Sequence, residues 1–217
     1  MAAKRSRKPA RSASGKAATP GKPSAAAKKA AAPAARRRPA THLPAPADGM
    51  VDRMIRVDHA GEYGAVRIYL GQLALLGKRP VAPVIHHMLE QERDHLATFD
   101  KLVADRRVRP SALLPLWHVA GFLLGAGTAL MGEKAAMACT VGVEEAIDAH
   151  YAGQIERLEQ SGTETELKET FNRFREEELE HRDTGIAHDA QSTPGYRALT
   201  GAIRAGSRLA IFLSERI

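Results

Sequence analysis

Two short elements that pair a carboxylate with an imidazole carry the clearest chemical signal in the sequence. Glu92 and His95 form one Glu-x-x-His element, and Glu178 and His181 form the other. Residues three apart lie on one face of a helix, so each element can direct its two side chains toward a common point. One such element indicates no more than a charged helix face in solvent. Their placement along the chain is more informative.

Each element is preceded by a further glutamate across a helix breaker. Glu62 lies as far before Gly77 as the first element lies after it, and Glu144 lies as far before Ser161 as the second element lies after it. In an antiparallel helix pair with a short loop, residues equally distant from the loop lie side by side. The sequence therefore predicts two similar helical hairpins, each with two glutamates and one histidine at the same level.

Packing these hairpins together places four glutamates and two histidines in one core layer. Four buried carboxylates repel one another unless cations are bound. With a single cysteine in the chain, Glu, Asp and His must supply the ligands of any buried metal. This set matches the ferritin-like di-iron and di-manganese bundles. The predicted metal ligands, which are also the predicted catalytic residues, are Glu62, Glu92, His95, Glu144, Glu178 and His181.

Neighbouring side chains are candidates for supporting roles. Asp94 and Glu180 each precede a ligand histidine, and each either orients the imidazole of the opposite half or is a surface carboxylate. Tyr151 lies two turns after Glu144 and is either a hydrogen-bonding or redox residue near the metals or a core residue. The ligand set is complete without His59, so a hydrogen bond or helix packing is expected for it.

The chain divides into two segments of opposite charge. Residues 1–47 contain 12 Lys and Arg and no acidic residue, whereas residues 48–217 contain 20 basic and 25 acidic residues. The Ala, Lys and Pro-rich first segment predicts a disordered tail, and the second predicts one domain. The basic charge of the tail predicts attraction to anionic lipid headgroups or loose contact with nucleic acid. The alternative is that the tail is dispensable. No specific nucleic-acid partner is predicted.

The domain is predicted to be all-α, a ferritin-like four-helix bundle built from two hairpins with an additional C-terminal helix. Aromatic residues make up 5% of the chain, strand-like alternation is absent, and Ala, Leu, Glu and Arg dominate. The predicted helices span residues 50–76, 81–107, 131–160, 163–189 and 194 to the end. A capping box of Thr163 and Glu166 is expected to start the fourth helix, and Pro194 to lie in the first turn of the last.

Two segments are candidates for a membrane surface. Residues 110–132 contain no formal charge and are long enough to cross a bilayer, although their glycines weaken a helix. We predict an apolar insertion into one leaflet, with a buried bundle segment as an equal alternative and a full span as the third. The C-terminal helix combines arginines with large apolar residues and is either interfacial or a fifth helix packed on the bundle.

Several motifs resemble the demethoxyubiquinone hydroxylase family of ubiquinone biosynthesis. These are residues 56–65 (RVDHAGEYGA), 125–130 (GAGTAL), 138–141 (ACTV) with 143–145 (VEE), and 177–181 (EELEH). The likeness extends from about residue 50 to Ile217 and leaves the tail outside. It assigns iron binding to the same six residues that the spacing selects.

The resemblance implies a monooxygenase that hydroxylates the ring of a polyprenylated demethoxyquinone with O2 at two Fe2+ ions, with NADH as the electron source. No Gly-rich dinucleotide motif follows a strand, so NADH binds unconventionally or electrons arrive through the bound quinone. A substrate in the bilayer implies a peripheral membrane protein with a lipid-presenting partner protein. Its location would be the cytoplasmic face of a bacterial cell membrane or the matrix face of the mitochondrial inner membrane. The alternative function is that of a ferritin-like iron-binding protein or ferroxidase. The sequence leaves open whether the chain forms a homo-oligomer.

Overall fold

Six α-helices make up the computed structural model over residues 49–217, the part of the chain that the structure describes. They are α1 (Met50–Leu76), α2 (Ala82–Arg106), α3 (Leu114–Leu130), α4 (Glu133–Ser161), α5 (Thr165–Ala187) and α6 (Tyr196–Ser214), with a short 3-10 helix at Ala190–Ser192. This range contains no strand, so the all-α prediction is confirmed. The predicted tail, residues 1–47, lies outside the described residues.

Both predicted hairpins are present, because α1 packs on α2 and α4 packs on α5. Gly77 directly follows α1, and its N–H donates to the Leu73 carbonyl. Gly162 directly follows α4 with φ of +64°, a left-handed conformation that glycine adopts without strain. The two predicted breakers therefore lie at the hairpin turns.

The predicted start of α5 is wrong. Thr163 and Glu166 form no capping box, because Glu164 occupies the N-cap position with φ of +61° and without a side-chain cap. The Thr163 hydroxyl lies 3.0 Å from the Ser161 hydroxyl instead. An Arg106 N–H at the end of α2 donates to the Glu164 carboxylate at 2.7 Å. This turn is thus accompanied by a contact between residues that are far apart in the sequence. Rules that use only neighbouring residues cannot predict such a contact.

The last helix begins later than predicted. α6 starts at Tyr196 rather than at Pro194, because Gly195 turns the chain with φ of +72°. Its inner face packs mainly on α4, as the alternative of a fifth bundle helix predicts. On its outer face, Leu209 and Phe212 are more than half exposed.

The uncharged segment 110–132 contains α3, which lies along α1. A Cβ on Gly125 would lie 1.9 Å from the Ile68 carbonyl oxygen, and one on Gly71 would lie 2.2 Å from the Phe122 carbonyl oxygen. The two backbones approach so closely only because these positions are glycine. Gly125, which weakens the helix prediction in the sequence, is therefore a residue that allows α3 to pack on α1.

The other face of α3 is exposed. Leu116, Val119, Leu123 and Leu130 each have more than half of their surface accessible. At 17 residues, α3 is shorter than the roughly 20 residues that a bilayer span requires. Among the described residues, no helix is both long and apolar enough to cross a membrane. Segment 110–132 thus does not meet the prediction of a full membrane span. The prediction of a buried segment holds only for the face of α3 that packs on α1.

Two apolar clusters fill the bundle above and below a polar middle layer. One contains Tyr69, Leu76, Ile85, Met88, Met137 and Val141. The other contains Met54, Ile55, Phe99, Tyr151, Phe171 and Phe174. On each bundle helix the glutamate of the predicted metal layer lies next to these clusters, so apolar packing shields that layer from water.

Candidate metal centre

Six buried side chains from four helices meet in the middle of the bundle. They are Glu62 of α1, Glu92 and His95 of α2, Glu144 of α4, and Glu178 and His181 of α5, and each is at most 3% exposed. The structure brings together all six residues that the sequence predicts for the site. Their burial is unusual, because ionisable side chains are almost never fully buried without partners.

The six residues form two overlapping groups of potential ligands. Glu62 and His95 belong to one group, which we call the first position, and Glu144 and His181 belong to the other, which we call the second position. Glu92 and Glu178 are members of both. Within each group the potential ligand atoms lie within 4.8 Å of one another. This arrangement suits two ions that share two carboxylates.

Eight buried atoms of this cluster lack a hydrogen-bond partner within the part of the chain that the structure describes. They are Glu62 Oε2, both Glu92 oxygens, His95 Nδ1, Glu144 Oε2, both Glu178 oxygens and His181 Nδ1. Buried polar atoms without partners are costly and rare. Two divalent ions with four ligand atoms each would use all eight, so the residues present fit a dinuclear metal centre.

Charge in the metal-free cluster is balanced by protons. Burial lowers the pKa of the His95 imidazole, but the carboxylates of Glu178 and Glu62 outweigh it and raise that pKa to about 12. At His181, burial likewise lowers the pKa of the imidazole, but the carboxylates of Glu178 and Glu92 outweigh this effect and raise that pKa to about 11. Burial and the Glu178 charge raise the pKa of Glu92 to about 8. Metal binding must therefore displace protons.

Each imidazole is held on its outer side by a residue of the opposite half. His95 Nε2 lies 2.5 Å from Glu177 Oε2, and His181 Nε2 lies 3.1 Å from Gln91 Oε1. Both Nδ1 atoms face the cluster, each at 3.2 Å from a Glu178 oxygen. When Nε2–H donates outward, Nδ1 presents its lone pair inward, as a metal ligand must.

Asp94 and Glu180, the predicted candidates for orienting the imidazoles, do not do so, because both are exposed. A residue directly before a helical histidine points about 100° away from it, whereas a residue four positions earlier shares its face. Gln91 and Glu177 stand four positions before the two histidines. Gln91 is not among the residues predicted from the sequence, although the helical period is a signal that identifies it.

A tyrosine from each half contacts the terminal glutamate of the other half, by which we mean the glutamate that belongs to only one of the two ligand groups. The Tyr151 hydroxyl donates to Glu62 Oε1 at 2.6 Å, and the Tyr69 hydroxyl donates to Glu144 Oε1 at 3.1 Å. Burial and the nearby carboxylates raise the pKa of both phenols well above 10, so they remain donors. The hydrogen-bonding alternative for Tyr151 is confirmed. Tyr69 is missed, although it follows its glutamate by the same seven residues.

A second polar group lies beside the cluster. Asp58 accepts a hydrogen bond from Gln154 at 2.9 Å and lies 2.8 Å from His150 Nε2. Burial raises the pKa of Asp58, and the His150 contact opposes this rise. His59 Nε2 lies 2.9 Å from Asp100 Oδ1, and His59 belongs to neither potential ligand group. Of the two alternatives predicted for His59, a hydrogen bond or helix packing, the structure thus shows a hydrogen bond.

An apolar cavity of about 470 Å³ lies between the four-helix bundle and the two helices that cover it, α3 and α6. We call α3 and α6 the covering helices. Residues of α1, α3, α4 and α6 line it, including Gly61 and Val143. These two directly neighbour Glu62 and Glu144 in the chain. The cavity therefore lies next to the helix segments that carry the terminal glutamates, and its volume is in the range of small-molecule sites.

A family model described as Ubiquinone biosynthesis protein COQ7 matches residues 49–214 of the chain. The chain belongs to the COQ7 family. The resemblance inferred from the sequence motifs is thereby confirmed. All six clustered residues lie inside the range that the COQ7 model matches.

Three relatives of this chain are named as hydroxylases. A 3-demethoxyubiquinol 3-hydroxylase of Rhodospirillum rubrum is 62% identical over 175 residues, which cover 80% of this chain and 81% of the relative. An NADPH-dependent 3-demethoxyubiquinone 3-hydroxylase, mitochondrial, of Homo sapiens is 57% identical over 169 residues, covering 77% and 78%. A 5-demethoxyubiquinone hydroxylase, mitochondrial, of Saccharomyces cerevisiae is 44% identical over 182 residues, covering 77% and 78%.

Proposed function

We propose that this chain hydroxylates the ring of a polyprenylated demethoxyubiquinol with O2, at two iron ions held by the six clustered residues. COQ7 membership and 62% identity to a named hydroxylase make the chain a 3-demethoxyubiquinol 3-hydroxylase of ubiquinone biosynthesis. The eight atoms without a hydrogen-bond partner in one buried layer carry the metal part of the proposal. Oxygen and imidazole ligands suit iron or manganese, and O2 chemistry favours iron.

The proposed ligands follow from the two groups. They are Glu62 and His95 at the first position, Glu144 and His181 at the second, and Glu92 and Glu178 at both. When bound and reduced, two irons supply electrons and Lewis acidity for O2 activation. The protein supplies orientation: Tyr151 and Tyr69 fix the terminal carboxylates, and Glu177 and Gln91 fix the imidazoles.

The apolar cavity is the proposed site of the substrate ring. It has an apolar lining, lies next to the chain segments of both terminal glutamates, and is covered by α3 and α6. At its border Trp117 Nε1 donates to Ser214 Oγ at 2.9 Å, which links the two covering helices. Exclusion of water by this cover would strengthen every electrostatic interaction in the site.

The exposed apolar side chains of α3 and α6 support a peripheral membrane location, because a polyprenyl quinone is dissolved in the bilayer. The side chains in question are Leu116, Val119, Leu123, Leu209 and Phe212. Apolar surface of this kind marks membrane or protein contacts. The human and yeast relatives are named as mitochondrial, so the proposed locations are the matrix face of the mitochondrial inner membrane and the cytoplasmic face of a bacterial membrane.

Electrons are proposed to come from a reduced nicotinamide nucleotide, directly or through the bound quinone. The human relative is named for NADPH, whereas the sequence resemblance implied NADH. A lipid-presenting partner protein and self-association into a homo-oligomer also stay predictions.

Filling the cavity tests the substrate part of the proposal. A Cβ on Gly64, which lines the cavity, would meet no atom within 4 Å. Gly64→Leu should therefore retain its fold and two irons per chain. Because the leucine occupies the place of the ring, we expect hydroxylation of demethoxyubiquinol to fall on the order of 100-fold, as for a misplaced substrate. The product is quantified by chromatography with mass detection.

Gly153→Leu is the matched control, because a Cβ there also meets no atom within 4 Å and Gly153 does not line the cavity. Its activity should equal that of the unmodified chain. Equal activity in Gly64→Leu would place the substrate elsewhere. Iron uptake far beyond two per chain after exposure to air, without hydroxylated product, would favour the ferroxidase alternative.

A further inference from the structure

The two halves of the metal centre match at the six potential ligands and at the tyrosines that contact them, but they differ next to the imidazoles. Four matched pairs are chemically identical: Glu62 with Glu144, Glu92 with Glu178, His95 with His181, and Tyr69 with Tyr151. The residue four positions before each histidine breaks the match, because it is Gln91 in one half and Glu177 in the other. Both contact the imidazole of the opposite half.

This difference changes the chemistry of the contact. Glu177 offers an anionic oxygen to His95 Nε2 at 2.5 Å, whereas Gln91 offers a neutral amide oxygen to His181 Nε2 at 3.1 Å. Hydrogen bonds to ionised acceptors are shorter and about twice as strong as neutral ones. An anionic partner on the outer nitrogen also makes the inner nitrogen a better metal ligand. The two imidazoles are therefore unequal donors.

We propose that Glu177 is a positioning residue which makes the first position the tighter of the two metal positions, so that it fills first. This order of filling rests on the dinuclear centre of the proposed function. One ion is held firmly through Glu62 and His95, and the other, through Glu144 and His181, exchanges more readily.

A second difference between the halves lies near the first position. Asp58 precedes Glu62 by four residues, and the matching residue before Glu144 is Thr140. Asp58 is buried and bound to His150 and Gln154 rather than to either ligand imidazole. Glu177 is 30% exposed, so solvent partly screens its charge, but its hydrogen bond to the imidazole is direct. Exchanging residues 91 and 177 leaves Asp58 in place and separates the two causes.

Stepwise metal binding to the full chain provides the test. Anaerobic calorimetric titration with Fe(II), against a competing chelator, should resolve a tight and a weaker binding step in the unmodified protein. Glu177→Gln should weaken the tight step by about 10–100-fold, the usual effect of removing an outer partner of a metal ligand, and bring the steps together. Gln91→Glu should bring them together by strengthening the weak step.

The double exchange Gln91→Glu with Glu177→Gln should restore two separate steps, now with the second position tighter. Mössbauer spectra at one 57Fe per chain supply an independent readout. The unmodified protein and the double exchange should each hold this iron at one position. Each single variant should distribute it over both positions and therefore contain more two-iron centres. Thermal unfolding of the four proteins checks that all are folded.

Three results would overturn the inference in different ways. If the unmodified chain binds two irons and the single variants leave both affinities unchanged, Glu177 has only a structural role and the proposed function stands. A double exchange that binds both irons with one affinity would contradict Glu177 as the cause of the order, because Asp58 would then favour the first position as strongly. If the folded, unmodified chain binds no iron, the proposed function fails together with this inference.

Discussion

The four bundle helices and the two covering helices distribute polarity in opposite ways. α1, α2, α4 and α5 bury four carboxylates and two imidazoles in their common interior. α3 and α6 instead expose large apolar side chains, among them Leu123 at 61% and Leu209 at 57%. The proposed reaction centre and the proposed access route therefore involve different helices. Substitutions should separate metal binding from substrate supply.

The largest effect is expected from Glu178→Ala. Glu178 belongs to both metal positions, and it lies 3.2 Å from Nδ1 of both His95 and His181. Its loss should abolish specific iron binding, and hydroxylation should fall by more than about 100-fold. Iron per chain after desalting and product per minute measure the two effects. Glu176→Ala, at an exposed position on the same helix, should change neither. Two tightly bound irons in Glu178→Ala would contradict the shared-ligand assignment.

The metal layer could be predicted from the sequence because its geometry is nearly local. Helical period and the midpoints at Gly77 and Ser161 determine which glutamates meet, and burial of their charge makes them candidate metal ligands. Tyr69 and Gln91 follow the same periodic rules and were accessible by the same reasoning. The exposed Asp94 and Glu180 show that adjacency in sequence is a poor guide to a shared helix face.

The covering helices could not be placed from sequence alone. Gly125 lowers helix propensity, yet it allows α3 to approach Ile68, and this gain depends on a partner helix that local rules do not contain. The start of α5 similarly coincides with the Arg106–Glu164 contact. Amphipathic pattern alone also leaves open whether an apolar face meets protein or membrane.

A glycine pair on α3 tests whether close packing holds the cover on the bundle. Gly125→Ala places a Cβ 1.9 Å from the Ile68 carbonyl oxygen and should destabilise the chain by about 1–3 kcal/mol, the usual cost of overpacking. Gly127→Ala meets no atom within 4 Å and should stabilise it by about 0.5–1 kcal/mol through helix propensity. Urea unfolding measures both. Equal stability of the two variants would contradict the α1–α3 packing.

The exposed apolar face should determine membrane affinity without affecting iron. Leu123→Gln and Leu209→Gln should each weaken binding to phospholipid vesicles by about tenfold, the value of burying one leucine side chain. Iron content should remain at two per chain. Ile186→Gln, on α5 and 38% exposed, is the matched control and should bind vesicles normally. Unchanged vesicle sedimentation of both leucine variants would remove α3 and α6 as the membrane surface.

The last effect concerns pH. In the metal-free chain, the pKa of His95 is about 12 and that of His181 about 11, against 6.5 when unfolded, and the pKa of Glu92 is about 8 against 4.5. The folded chain thus binds more protons than the unfolded chain between about pH 6.5 and 8. Its stability should fall as pH rises through this window, lowering Tm by several degrees in circular dichroism melts.

The iron-loaded chain is the control for this pH series. Its ligands are already deprotonated, so its Tm should not fall over the same window. A metal-free Tm that stays constant or rises with pH would contradict the charge balance assigned to the cluster.

Oxygen labelling as a function of iron content tests the central claim most directly. The full chain is loaded anaerobically with increasing Fe(II), mixed with 18O2, a reductant and demethoxyubiquinol, and analysed by mass spectrometry. Product should rise with iron, reach its maximum at two irons per chain, and carry one 18O atom in the new hydroxyl. Full activity in iron-free protein, or a hydroxyl oxygen derived from water, would contradict a di-iron monooxygenase.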